Sequence, residues 1–291
     1  MGRDHSSLLD QGQIITIGIV GGGTMGSSIA SQVLMSGLSA VVIEAKTDAV
    51  ERARARVLGT LKRARERGFI SLASEVADAR LMVTTDYASL RASSLVIESV
   101  PEIVELKRDV LTQVRDVVGE SIPIGSNTSS IAIGSLQEGL KSAERVGGLH
   151  FFNPVPASSL IEIVVGPMTS EATIEGFRQL AELLGKASIV VKDAPGFATS
   201  RLGVALGLEA IRMLEEGIAS AEDIDQAMAL GYKHPIGPLR LTDLVGLDVR
   251  LAIARYLEQQ LGARFSPPEL LMSMVEAGNL GKKSGRGFFV W

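Results

Sequence analysis

Residues 14–44 read IITIGIVGGGTMGSSIASQVLMSGLSAVVIE, and three kinds of text follow one another in that short span. IITIGIV is apolar and β-branched, GGGTMG is a glycine loop, SSIASQVLMSG has helical spacing, and SAVVIE is a second β-branched run. Strand, tight loop, helix and strand make a βαβ unit. Working outward, apolar runs suited to buried strands recur at 81–85, 95–99, 122–126, 146–152, 160–165 and 188–192, mostly with helical text between them. Alternation of this kind predicts an α/β fold, a doubly wound Rossmann-type sheet that is largely parallel.

The pattern changes at Asp193-Ala194-Pro195-Gly196-Phe197, where a Pro-Gly break ends the last strand run. Only helical text follows. One helix is expected over 198–216 with Gly217 as its C-cap, and a capping box at Ser220-Ala-Glu-Asp223 opens another. A third is expected over 242–261, ended by Gly262. The chain is therefore expected to comprise a polar leader over 1–12, a Rossmann-type domain over 13–195 and an all-α C-terminal domain over 196–291.

Composition narrows the function. With 46% hydrophobic and 21% charged residues, the 291-residue chain should fold by burial. Its 29 Lys and Arg against 33 Asp and Glu leave a net charge of −4, so no global positive field exists to hold nucleic acid. The absence of cysteine excludes disulfides, thiolate nucleophiles and Cys-ligated metals. No run reaches the roughly 20 apolar residues of a membrane span, and the opening residues lack a signal-peptide core. A cytoplasmic protein without a membrane or metal partner is expected.

Gly21-Gly22-Gly23-Thr24-Met25-Gly26 satisfies GxGxxG, and its setting strengthens it: a strand precedes it, a helix follows, and the second strand ends in Glu44, eighteen residues beyond Gly26. Gly21 would permit the turn, Gly23 would let backbone amides reach a pyrophosphate, and Gly26 would let helix and strand pack closely. Thr24 and Met25 complete the loop. Glu44 would accept hydrogen bonds from a ribose and repel a 2′-phosphate, which predicts NAD rather than NADP. The competing reading is an ordinary βα turn beside an unrelated acid.

Nicotinamide-dependent oxidation of an alcohol needs a base for the hydroxyl proton, and the chain has three histidines, His5, His150 and His234. His5 lies in the leader and His234 in the turn YKHPIGP. His150 ends the strand text RVGGLH, on the side where open α/β sheets bind ligands. Glu162 falls in an apolar run twelve residues later; pairing with His150 would offset its burial and fix the imidazole tautomer. An edge strand with Glu162 facing solvent is the other reading. The polar cluster Ser126-Asn127-Thr128-Ser129-Ser130 also follows a strand, as a ligand loop or a simple helix cap.

Taken together, SNTSS, GLHFFNPVP, IEIV, DAPGF and GKKSGRGFF resemble the 3-hydroxyacyl-CoA dehydrogenases, particularly the short 3-hydroxybutyryl-CoA type, from about residue 14 to the end. The resemblance implies an NAD-dependent oxidoreductase that interconverts (3S)-3-hydroxyacyl-CoA and 3-oxoacyl-CoA. It makes His150 the acid/base, Glu162 its orienting partner and Ser129 a contact to the substrate oxygen. It also implies cofactor contacts at Glu98, Asn153 and Lys283, CoA contacts at Thr60 and Arg67, and a homodimer through the helical domain. The family's asparagine after PGF is replaced by Ser200, whose shorter side chain weakens the expected substrate-oxygen contact there. Arg52, Arg56, Arg63 and Arg67 recur at helical spacing and could hold a CoA phosphate, although a solvated face explains such a run equally well. A dehydrogenase of a free 3-hydroxy acid or carnitine-like alcohol would need the same His and Glu. A non-catalytic NADH-binding protein would need only the loop.

Overall fold

The β-branched run at the start of the sheet pairs on both sides, and the rest of the first unit is laid out around it. A computed structural model describes residues 15–291, so His5 and the polar leader lie outside the described residues. In chain order the first unit contains β1 (Thr16–Val20), α1 (Thr24–Met35), β2 (Ser39–Ile43), α2 (Thr47–Glu66), α3 (Ser74–Ala79), β3 (Leu81–Thr84) and β4 (Leu95–Glu98). It continues with α4 (Val104–Val117), β5 (Ile124–Ser126), α5 (Ile133–Gln137), β6 (Val146–Phe151), β7 (Leu160–Val165), α6 (Glu171–Leu183) and β8 (Ala187–Lys192).

The eight strands form one sheet in the order β3-β2-β1-β4-β5-β6-β7-β8. Neighbours are parallel throughout except β6 and β7, which run antiparallel. The chain moves outward from β1 in both directions, so β1 and β4 flank the switch point where such sheets open a crevice. Ile17, Ile19, Val42, Leu95 and Ile97 are buried in the central strands, packed with Ile29, Val33 and Leu34 of α1. Two expectations of burial fail at the sheet's margins. On β3 Met82 is 51% exposed, and on β8 Ile189 and Val190 are 37% and 40% exposed, because an outermost strand has a neighbour on one side only.

The second unit begins at Ala194 and is built from α7 (Thr199–Glu215), α8 (Ala221–Gln226), α9 (Pro238–Val245), α10 (Leu247–Leu261) and α11 (Glu269–Glu276) around its own core of Val204, Leu208, Ile211, Leu239, Leu251 and Leu257. The Ser220 side chain caps α8 by accepting from the Asp223 amide. The single helix expected over 242–261 is two helices. Gly246 has φ +102°, outside helical geometry, and breaks the run between α9 and α10. Nor is the end of the chain helical. Buried Asp243 of α9 accepts hydrogen bonds from the Phe288 and Phe289 amides and from the Trp291 indole, which ties residues 281–291 down as a bridged turn.

Candidate active site

Because β1, β4, β5 and β6 are parallel, their C-terminal ends share one edge, and the polar loops of the sequence all emerge there. Gly21 leaves β1 with φ +97° and donates its amide to the Ile43 carbonyl at 2.8 Å, which locks the loop to β2. A side chain at Gly26 would lie 1.8 Å from the Gly21 carbonyl oxygen, so only glycine lets α1 start this close to β1. At Gly23 a Cβ would meet nothing within 4 Å: the surface over the head of α1 is open. The Glu44 carboxylate stands beside Gly22, 2.7 Å from where a Cβ would be. Open space over backbone amides, a helix N-terminus and a carboxylate beyond it form a cradle that fits the pyrophosphate and ribose of a dinucleotide.

The reversal of β7 decides the next feature. An antiparallel neighbour starts at the edge where β6 ends, and the register sets Glu162 directly opposite His150, on the same face of the sheet. Their side chains meet, with His150 Nδ1 2.9 Å from Glu162 Oε2. Glu162 is fully buried and the His150 side chain is 8% exposed. A carboxylate accepts only, so Nδ1 carries a proton in this contact and Nε2 is the ring nitrogen able to act as a base. The Phe152 ring packs against the imidazole at 4.5 Å between centroids. His150 therefore has a fixed orientation and a proton-accepting atom. His234, half-buried in a turn of the second unit, has no carboxylate partner among the described residues.

A second buried acid at this edge is Glu98, at the end of β4. Its carboxylate accepts from Lys107 Nζ at 2.8 Å, the Val100 amide at 2.7 Å and the Ser126 hydroxyl at 2.6 Å. Lys107, 1% exposed, also reaches Glu102 at 3.2 Å. Glu102 in turn accepts from the Thr128 hydroxyl and from the Ser129 and Ser130 amides at 2.9 and 3.1 Å, which shapes the SNTSS loop. Burial pushes the Glu102 carboxyl up, but the Thr128 hydroxyl, the Lys107 ammonium and the Ser129 amide more than offset this, and its pKa lies below the ordinary value. The Asn127 side chain accepts from the Phe151 amide at 2.9 Å and so joins this loop to the strand that carries His150. Glu102 and Lys107 were missed from the sequence. The available signal was a lysine in the apolar stripe 107, 110, 111 and 114 of α4.

Residues 16–194 match the family model for the NAD binding domain of 3-hydroxyacyl-CoA dehydrogenase, and residues 196–291 match that for its C-terminal domain. The chain belongs to the 3-hydroxyacyl-CoA dehydrogenases. It is 41% identical over 279 residues to the 3-hydroxybutyryl-CoA dehydrogenase of Mycobacterium tuberculosis, a match covering 94% of this chain and 98% of that protein. A probable 3-hydroxybutyryl-CoA dehydrogenase of Deinococcus radiodurans is 38% identical over 273 residues, with the same coverage. Among solved structures, (S)-3-hydroxybutyryl-CoA dehydrogenase of Ralstonia eutropha superposes with a TM-score of 0.88 at 41% identity, over 96% of this chain and 99% of that one.

The other residues that the sequence assigned to cofactor or substrate fall into three groups. Thr24, Thr60, Arg67 and Asn153 line one cavity of about 970 Å³ in the first unit, together with Arg56 and Arg63. Arg52 is not part of it: it pairs with Asp48 in solvent, one turn away on α2. Arg56 donates to the Gly22 carbonyl at 3.0 Å, which connects the arginine face to the glycine loop. Ser129 is exposed on the SNTSS loop. Glu98, also expected as a cofactor contact, lies at the C-terminal end of β4. It is 0% exposed and both carboxylate oxygens are engaged by protein donors, so it acts on its surroundings through Lys107 and Ser126. Lys283 and Ser200 belong to the second unit, where Lys283 pairs with Asp248 and Ser200 is half-buried in the first turn of α7.

Proposed function

We propose that this chain is an NAD-dependent dehydrogenase that interconverts a short (3S)-3-hydroxyacyl-CoA, 3-hydroxybutyryl-CoA in the first instance, and the 3-oxoacyl-CoA. The observation that carries the reading is the buried His150–Glu162 pair at the same sheet edge as the glycine cradle. In oxidation His150 Nε2 takes the hydroxyl proton, and Glu162 stabilises the imidazolium that results while holding the ring in place. Reduction returns that proton to the oxygen. When bound, NAD supplies the hydride acceptor, with Gly21, Gly23, Thr24, Met25, Gly26 and Glu44 holding its phosphates and ribose, and Asn153 and Lys283 as further contacts. Ser129 and Ser200 hold the reacting oxygen. Thr60 and Arg67 receive the CoA portion, for which the cationic lining of the cavity supplies the charge.

In this reading residues 13–195 bind NAD, residues 196–291 form the substrate and dimerisation domain, and the protein is a cytoplasmic homodimer. Exposed Leu202, Leu244, Val245 and Val249 on the helical unit support pairing there. No helix among the described residues is long and apolar enough to cross a membrane. The deciding experiment follows NADH oxidation with acetoacetyl-CoA, with NADPH and free acetoacetate as parallel controls. Turnover of the CoA ester with NADH is expected. Turnover of the free acid alone would replace the substrate class, and turnover of neither would overturn the reading.

A further inference from the structure

The peptide joining Gly22 to Gly23 is trans, so its carbonyl and its N–H point in opposite directions. The Gly22 carbonyl accepts from the Ser27 hydroxyl at 2.7 Å and from Arg56 Nη1 at 3.0 Å, and both donors line the arginine-bearing cavity of the first unit. The Gly23 amide therefore faces the other way, toward the open surface over the head of α1, and it has no protein acceptor among the described residues. One peptide thus stands between two sites, with its acceptor in one and its donor in the other.

Arg56 holds that peptide from a fixed base. It follows Ala53 by one turn of α2 and precedes Val57, both fully buried, and Ala53 packs so closely on the loop that a Cβ at Gly22 would lie 2.7 Å from its own. The guanidinium carries five N–H donors and gives one to Gly22 among the described residues, which leaves four for an anion in the cavity. The side chain is exposed, so holding it against the loop costs rotamer entropy each time the bond forms. A phosphate on the outer donors would remove that cost by fixing the same guanidinium from the cavity side. A charge-assisted bond to a carbonyl also polarises the peptide it belongs to, and the N–H on the opposite side becomes the stronger donor.

We propose that Arg56 is a positioning residue that couples the two sites: a CoA phosphate held by its guanidinium in the cavity fixes it on the Gly22 carbonyl, and the Gly23 amide then binds the dinucleotide pyrophosphate more tightly. This rests on the reading of the chain as a dehydrogenase of CoA esters and deepens it. The test measures the Kd of NADH on the full chain by nicotinamide fluorescence, without and with saturating CoA, which has no acyl group to be reduced. CoA is expected to lower that Kd by about fivefold, and by linkage NADH must tighten CoA binding by the same factor. Arg56→Ala should abolish the coupling, leaving one NADH Kd whether or not CoA is present, and Arg56→Lys, which keeps the charge but not the planar fork, should restore part of it. Arg52→Ala, which removes a charge from the same helix outside the cavity, should leave the coupling unchanged.

A CoA effect that survives in Arg56→Ala overturns the proposal, and so does an equal loss in Arg52→Ala, which marks the field of the helix rather than a contact. An Arg56→Ala variant that weakens NADH by the same factor with and without CoA marks a structural contact and also refutes it. So does a rise in the NADH Kd on adding CoA, because the phosphate then draws the guanidinium off the loop. These outcomes leave the dehydrogenase reading standing, since NADH and CoA both bind in each. Failure of CoA to bind while NADH does removes CoA esters as the substrate class together with the coupling, and failure of NADH to bind removes the whole reading and the coupling with it.

Discussion

Two carboxylates at one edge of the sheet are fully out of water, Glu98 and Glu162, and they differ in the cation each faces. Glu98 faces Lys107, whose single ammonium donates to it and has no second nitrogen through which a proton could pass, so the pair fixes geometry. Glu162 faces His150, whose ring has a second nitrogen through which a proton can be taken up or given back. Both carboxylates are equally buried. What separates a framework pair from a proton-transferring pair is the chemistry of the partner, and substitutions at the two sites should separate them.

The largest effect is expected from His150→Ala, which removes the base: kcat should fall by about 10²–10⁴-fold with the circular dichroism spectrum and melting temperature near those of the parent. Near-normal turnover would break the comparison at its functional end. Glu162→Gln keeps the shape but offers an amide to the ring, and a smaller loss of about 10²-fold is expected, in kcat more than in KM. At the other pair the readout moves from rate to stability. Glu98→Leu leaves Lys107 buried with Glu102 alone, and a destabilisation of about 3 kcal/mol in denaturant unfolding is expected. An unchanged unfolding midpoint would show that the Glu98 pair does not hold the edge together.

The smallest expected effect is a pH dependence. The Glu102 pKa in the folded chain lies below its ordinary value of 4.5, so its contribution is present above that pH and is lost as pH falls through the lowered folded value. The stability difference between the parent and Glu102→Gln should therefore shrink as pH falls from about 5 to about 3. Since its side chain is 35% exposed, the shrinkage is expected to be modest, and a constant difference across that window would count against the ionic role.

The sequence carried the site unevenly. The glycine loop was legible because each glycine answers a local demand that no other residue meets, and the Glu162 pairing was legible because an acid in an apolar run needs a partner. Glu98 was legible only as a motif letter. That its carboxylate turns inward depends on Lys107 and Ser126, which arrive from other elements. Strand positions were readable from β-branched runs, but the outer places of β3 and β8 were not, because order in a sheet is a long-range property. The break at Gly246 was hidden by apolar text that continues in helical period on both sides of it.

The single antiparallel neighbour in the sheet also bears on how the protein reaches its native state. Every other strand pairing joins register partners twenty-two residues or more apart along the chain, whereas His150 and Glu162 are joined by a reversal of twelve. Closing a shorter loop forfeits less chain entropy, and contacts of low sequence separation form sooner. The pair at the centre of the chemistry is therefore among the most local contacts in the sheet, able to assemble before the distant strands find their places.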